Sequence, residues 1–446
     1  MKINMTTKVD FIEENTKKCL LNMVLPMLVA MYLNMMYNLV DSLWIGNLLG
    51  KTACVALSNS TPIILLLTAI AMGSANGISI LLSQAIGAKN KKRTEHLIAT
   101  SFVVGVIFSL LLTIVLELTL PAILHALNTP VETFDWAYQY LSIYVIGYLA
   151  VYFYLYFSAV LRCFGNAIFQ VIVIVMSTIL NVILDPIFIR MIGFHGAAVA
   201  TVLSQTICFI FTLVYLKKKK LFSFKMTYFE KADVFPFIKK AIPSVIQQSI
   251  PSVSTIFLTA LISTFSINEI AAYGISGKIE TMLFYPAMVL NMVLTTIIGQ
   301  CVGGKRIDRA KDYLKCALGY GSCLLIFLSV LIVIFSKQLS GLFVKSSDVA
   351  IIVEVYFFII GIGYVLNTVT NCYLGVLNGL GKPSQSMLLM IFYYVLVRIP
   401  LAYILSSYGL GLSGIWIAVA ISHVVASVAA TVTGTLYLKI AIKQLK

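Results

Sequence analysis

Long apolar runs alternate with short polar, lysine-rich stretches along almost the whole chain. Each run reaches about 20 residues, enough for a helix to cross a hydrocarbon core of about 30 Å. The runs are continuous rather than alternating, so the pattern predicts helices and not the strands of a β-barrel. Twelve spans follow, roughly 19–42, 53–82, 96–124, 136–161, 168–190, 196–217, 237–264, 271–300, 310–336, 350–378, 385–408 and 413–438. The predicted fold class is an all-α membrane protein.

The polar stretches set the orientation. With the N-terminus inside, the segments 1–18, 83–95, 162–167, 217–240, 301–315, 379–384 and 439–446 hold 26 of the 32 Lys and Arg. That bias predicts cytosolic N- and C-termini in a plasma-membrane protein. The first 18 residues lack the apolar core of a signal peptide and read as a cytosolic tail. The expected organisation is a tail (1–18), a six-helix lobe (19–217), a linker (218–236), a second six-helix lobe (237–438) and a C-terminal tail (439–446).

The two halves resemble each other. "SQAIGAK" (83–89) matches "GQCVGGK" (299–305), and "LRCFGNA" (161–167) matches "LNGLGKP" (377–383), at one offset of 216. Pro26 matches Pro243, and "HGAAVA" (195–200) matches "SGIWIA" (413–418), at nearly the same offset. Six spans per half make the repeat parallel, with a pseudo-two-fold axis along the membrane normal. Two such lobes around a cleft are a transporter architecture.

Composition agrees: the 446 residues are 60% hydrophobic and 11% charged, against about a quarter charged in soluble domains. The net charge of +15 lies in patches between spans, which argues against nucleic acid as a partner. Eight scattered cysteines with no CxxC suggest neither a disulfide framework nor a metal site. No GxxxxGK[ST] occurs, so no built-in ATPase is expected. The pairs Gly73/Gly77, Gly299/Gly303 and Gly375/Gly379 read as close helix packing. No cofactor and no enzymatic activity are expected.

Acids at membrane depth carry the chemistry. An ionisable residue there is a functional candidate by default. Asp41 lies roughly 35 Å along its helix from Lys18 and Asp185 about 25 Å along helix 5, at 1.5 Å per residue. Both are in the outer half, level with Thr201 near the start of helix 6. Asn34, Tyr37, Asn38 and Asp41 share one helix face, with Met27 and Met31 near it and deeper. Thr178, Asn181 and Asp185 are spaced three and four apart, again one face. Pro186 removes an N–H and frees the carbonyl of Val182. Carboxylates, an amide oxygen and a free carbonyl suit Na⁺, and the same carboxyl groups could instead exchange protons. Asp41, Asn181, Asp185 and Thr201 are the candidate Na⁺ ligands.

The second lobe differs. Helix 7 offers only Gln247 and Gln248, and the segment matching "NVILDPIFI" is "VLVRIPLAYI", with Arg398 and no acid. Glu280 is expected to pair with Arg398 in a structural or gating role. Glu117 and Glu354 read as solvated residues near helix ends. His423, inside a span, reads more readily as structural than as a metal or proton-relay residue.

Together, "VDSLWIGNLLG", "SQAIGAKNKKRTEHL", "LRCFGNA", "NVILDPIFI", "AAYGISGKIE", "GQCVGGKRIDRAKDYL" and "LNGLGKPSQS" make the chain similar, over nearly its whole length, to the multidrug and toxic compound extrusion (MATE) family. The resemblance implies export of organic cations and other toxic compounds in exchange for Na⁺ or H⁺, by rocking between outward- and inward-open forms. Within the family the chain is more similar to the DinF-like prokaryotic branch, which implies a cation-coupling site at Asp41, Asn181, Asp185, Tyr37 and Thr201. The acids of the NorM-like branch in helices 7 and 10 are absent. Expected partners are small organic cations and the lipid bilayer, with Asn34, Asn38, Met27, Met31, Gln247 and Gln248 facing the substrate, and the chain acting as a monomer. The alternatives are a lipid-linked oligosaccharide flippase of the same wider superfamily and a channel or non-transporting receptor. Few basic residues are buried in the membrane, which disfavours the flippase, and acids confined to one lobe disfavour a symmetric pore.

Overall fold

The computed structural model describes residues 9–127, 129–219, 225–344 and 346–445. Residues 1–8 of the expected tail, 220–224 of the expected linker and Lys345 lie outside that description. Among the described residues every regular element is helical. The elements are α1 (Thr16–Leu49), α2 (Lys51–Gly87), α3 (Lys91–Ala126), α4 (Val131–Ile146 and Tyr148–Cys163), α5 (Ile168–Ile192) and α6 (His195–Lys219). They continue with α7 (Lys231–Ile262), α8 (Ile267–Gly303), α9 (Ile307–Gly341) and α10 (Ser347–Gly379). Last come α11 (Pro383–Ile391, Phe392–Arg398 and Ile399–Leu405) and α12 (Gly411–Leu445).

Among the described residues, 10 helical runs are long and apolar enough to cross a membrane, or 11 with the bent pair that forms α4. One of those runs, Pro383–Gln444, contains both α11 and α12. Its helix is interrupted at Tyr408 and at Gly409, where φ is +88°. Counting the two sides of that break separately makes twelve spans. The helices run longer than the apolar runs because they carry on into the flanking polar residues.

Where helices start, break or bend, local chemistry gives the reason. The Ser266 hydroxyl accepts from the Glu269 amide, and the Glu269 carboxylate accepts from the Ser266 amide. This capping box satisfies two free N–H groups at the start of α8. The halves of α4 meet at 50° on Gly147. A Cβ there would lie 2.3 Å from Val202, so glycine permits both the bend and the close approach of α6. In α11 the wide i→i+5 turns of Phe392–Arg398 precede Pro400, whose ring and missing N–H disturb the preceding turn.

The chain divides into two compact units. The first comprises mainly Leu25–Ile86 and Asn90–Val245, and the second comprises Asp10–Val24, Gly87–Lys89 and Ile246–Lys446. The divisions fall inside α1 and α7, close to Pro26 and Pro243, and not at the polar 218–236 stretch. Polarity marks a loop, whereas packing decides which body a helix joins. The start of α7 packs on α2: a Cβ on Gly73 would meet Val245 Cα at 2.4 Å, and one on Gly77 would meet Ala241 Cα at 2.6 Å.

The core of the first unit is aromatic, with Tyr148, Tyr152, Phe153, Tyr156 and Phe157 of α4 all buried. Ser74 and Ser101 bond the hydroxyls of Tyr152 and Tyr156. In the second unit Trp416 packs against Tyr356 and Tyr273. There the N-terminal segment is seated rather than free: Phe11 is fully buried and its carbonyl accepts from Tyr313 Oη at 3.0 Å.

Candidate functional site

Three helices of the first unit bring the sequence-derived acids together. Asp41 comes from α1, Asn181 and Asp185 from α5, and Thr201 from the first turns of α6. Asn181 and Asp185 are fully buried, and Asp41, Tyr37 and Thr201 are 8%, 6% and 5% exposed. Asn181 Nδ2 donates to Asp185 Oδ1 at 2.8 Å, the i,i+4 contact that one helix face provides. The carboxyl groups of Asp41 and Asp185 are close enough to interact electrostatically. The Tyr37 hydroxyl lies beside Thr201 and Ser204.

The cluster is rich in acceptors and poor in donors. Tyr37 Oη, Asp41 Oδ1, Asn181 Oδ1, Asp185 Oδ2 and Thr201 Oγ1 are all buried and have no hydrogen-bond partner among the described residues. Buried polar atoms left this way cost about 1–3 kcal/mol each, and two adjacent buried carboxylates cost more unless paired. Two carboxyl groups and neutral oxygens fit a small hard cation or a proton shared between the acids. No group of three or more His, Cys, Asp or Glu that could hold a metal occurs among the described residues. Oxygen donors of this kind suit a hard cation better than a soft transition metal.

The expected face of α1 is split. Tyr37 and Asp41 turn inward, whereas Asn34 and Asn38 are exposed. Asn34 and Asn38 take no part in the carboxylate cluster. Met27 is buried, Met31 is partly exposed, Gln247 is buried and Gln248 is partly exposed. Sequence reading missed Tyr140 of α4, which is buried and near enough to Asp41, Tyr37 and Asp185 to interact with them electrostatically. It is one of many aromatics on that helix, and nothing in its spacing singled it out.

In the second unit the expected ion pair between Glu280 and Arg398 is corrected. No pairing of the two within 4 Å occurs among the described residues. Glu280 Oε1 accepts from Tyr364 Oη at 3.3 Å. Arg398 Nε donates to Ser422 Oγ at 2.9 Å, and Nη2 donates to Tyr393 Oη and, at 3.3 Å, to His423 Nε2. The guanidinium also stacks over Tyr393 and Tyr394, 4.7 and 4.5 Å from the ring centroids. The wide turn of α11 is the reason. Tyr393 and Arg398 are five residues apart, which puts them on one side of an i→i+5 helix but far apart around an ordinary one.

A guanidinium only donates, so His423 Nε2 accepts and its Nδ1 bears the proton that goes to Tyr393 Oη at 2.9 Å. Carboxamides of the second unit form a hydrogen-bonded series of their own. Asn371 donates to Asn367, Asn291 to Asn371, and Asn378 to Gln247, at 2.9, 3.2 and 3.3 Å. None of these asparagines stood out in sequence, because a neutral amide in an apolar helix has no charge pattern. The two remaining acids are not simply solvated. Glu117 accepts from Ser142 at 2.9 Å, and Glu354 pairs with Lys337 at 2.8 Å.

The chain is similar to known transporters over nearly all its length. It is 28% identical over 431 residues to the probable multidrug resistance protein YpnP of Bacillus subtilis, covering 94% of this chain and 95% of that protein. It is 24% identical over 424 residues to a FAD transporter of Shewanella oneidensis, covering 92% and 93%. Among solved structures, an outward-facing multidrug resistance MATE family transporter of the MOP superfamily shares the fold. Its TM-score is 0.92 at 23% identity, over 98% of this chain and 99% of that one. The MatE family model matches twice, at residues 26–187 and 243–404. The two matches are 217 residues apart at both ends, the offset at which the halves of the sequence repeat. The chain belongs to the MatE family.

Proposed function

We propose that the protein is a secondary active exporter of amphipathic, cationic small molecules, driven by H⁺ or Na⁺ antiport with alternating access. Its coupling site is the Asp41–Asp185 cluster. One observation carries this reading: two buried carboxyl groups lie close together with unpartnered oxygens, beside Asn181, Tyr37 and Thr201. Entry of a monovalent cation offsets one of the two negative charges and gives those oxygens a partner. Its departure restores like-charge repulsion, which favours another packing of α1 against α5 and α6. Pro26, inside α1, is a place where such a change can be absorbed without breaking further hydrogen bonds. Substrate export on one packing and ion release on the other couple the two gradients. The family and the relatives' names support drug export. The bias of Lys and Arg supports a multi-pass protein of the cytoplasmic membrane with both termini cytosolic.

The test is efflux in everted membrane vesicles, with ΔpH and ΔNa⁺ imposed separately and both a cationic dye and a flavin offered as substrate. One gradient drives accumulation of the dye, and Asp41→Asn or Asp185→Asn lowers it by more than roughly tenfold. Full ion-driven transport by both variants would overturn the coupling site. Uptake of the flavin alone would overturn the cationic substrate class and leave the coupling site standing.

A further inference from the structure

The second unit has a groove of about 300 Å³ at the end of the bundle where α9, α10 and α12 converge. Its lining is of two kinds. Lys311 and Lys315, one turn apart on α9, and Lys439 in the last turns of α12 supply three exposed ammonium groups. Leu314, Leu318, Leu438 and Tyr373 supply an apolar wall. Tyr373 sits deep because α12 has Gly434 opposite: a Cβ there would lie 2.5 Å from the ring. A second groove of about 390 Å³ adjoins the first, sharing Thr435 and Lys439 and running on past Val432 and Leu436. From Lys439 to Thr431 it follows α12 for roughly 12 Å into the apolar span.

No acid lines the grooves themselves, and Asp312 between the two α9 lysines lies outside both linings. Asp308, just before Lys311 on α9, is already held by Arg306 at 3.2 Å. None of the three lysines is in an ion pair among the described residues. Both segments that carry them, 301–315 and 439–446, belong to the lysine-rich side that the sequence assigns to the cytosol.

We propose that this groove is a binding site for an anionic phospholipid of the cytosolic leaflet. The ammonium groups hold the headgroup phosphate, and one acyl chain lies along α12 over Leu438, Leu436 and Val432. Charge complementarity favours a phosphate over a zwitterionic headgroup. The apolar floor, continuous with the membrane span, favours a lipid over a soluble anion, because a soluble anion gains nothing from it. Lysine stems can lie along the leucines while their heads stay at the interface.

Native mass spectrometry of the full-length protein, released from detergent, tests this. Phosphatidylglycerol, phosphatidylcholine and inorganic phosphate are titrated separately. Phosphatidylglycerol is expected to be retained one to one and at least roughly tenfold more tightly than phosphatidylcholine. The Lys311→Gln/Lys315→Gln/Lys439→Gln triple variant should weaken it about a hundredfold. Lys89→Gln/Lys91→Gln/Lys92→Gln removes the same charge elsewhere and should leave it unchanged. Thr435→Phe fills the junction of the two grooves and should weaken it with every lysine in place. Equal retention of the two lipids, equal loss in both triple variants, an unaffected Thr435→Phe, or displacement of the lipid by millimolar phosphate would each overturn the proposal.

Discussion

Asp41 and Arg398 are both charges buried at membrane depth, and their surroundings treat them in opposite ways. Arg398 is well provided for: Ser422, Tyr393 and His423 accept hydrogen bonds from its Nε and Nη2, and two tyrosine rings face its plane. Asp41 is left with an oxygen that has no partner among the described residues, near a second carboxyl group. The first arrangement suits a structural role, whereas the second suits the proposed cation site. The difference is open to measurement. Arg398→Met leaves His423 Nε2 without its donor and removes the packing of two tyrosines, so it should cost about 1–3 kcal/mol in detergent unfolding. Glu280→Gln should cost less, because an amide oxygen still accepts from Tyr364. The pair in a double-mutant cycle should couple by less than either single effect, as charges do that act on each other through space without touching. A coupling energy as large as the single effects would restore the direct ion pair.

At the scale of elements, helix contacts here are decided by small residues and by breaks in helical geometry. The Gly73/Gly77 face of α2 brings backbone against the backbone of α7, as the GxxxG spacing implies. Gly375 and Gly379 do the same for α10 against Asn291 and Ile298 of α8. Gly77→Leu should therefore cut the yield of folded protein several-fold, because backbone cannot yield as a flexible side chain can. Gly319→Leu on α9, where a Cβ would meet nothing within 4 Å, should be neutral. Fluorescence-detected size-exclusion chromatography reads both, and equal yields would show that α2 and α7 need no close approach. On α5, Pro186 leaves the Val182 carbonyl free one turn from Asp185. On α11, Pro400 follows the wide turns that aim Tyr393 and Arg398 the same way. Proline acts in both places by changing which backbone groups and side chains share a side.

For the whole molecule, an even number of spans and the Lys and Arg bias predict both termini on one side of the membrane and the Tyr408–Gly411 break on the other. Single cysteines in a cysteine-free background report this. A cysteine at Ser407 should be labelled by a membrane-impermeant maleimide from outside intact cells. One at Lys92 or Lys443 should be labelled only after the membrane is opened. Labelling of Ser407→Cys only in opened cells would mean that Pro383–Gln444 does not turn back at Gly409. The same experiment fixes the side on which Lys311, Lys315 and Lys439 meet the bilayer, and with it the leaflet that supplies their lipid.

The sequence by itself determined the helical class, the span count, the repeat and the Asp41–Asn181–Asp185–Thr201 grouping. The first three are written in short-range information, apolar run length and the spacing of charges, whereas the grouping rests on helix faces combined with matched depths on three helices and the family resemblance. The pairing of Arg398 was decided only by tertiary structure, because a wide helical turn changes which residues are neighbours and the expected periodicity no longer holds. The same is true of the split of the α1 face, where Asn34 and Asn38 stay exposed while Tyr37 and Asp41 are covered. Helical spacing shows which residues share a face, but only the packed partner decides how much of that face is buried. Tyr140, the asparagine network and the lysine-ringed groove bring together residues from separate helices. No local pattern marks them, since such convergence exists only once the helices are packed.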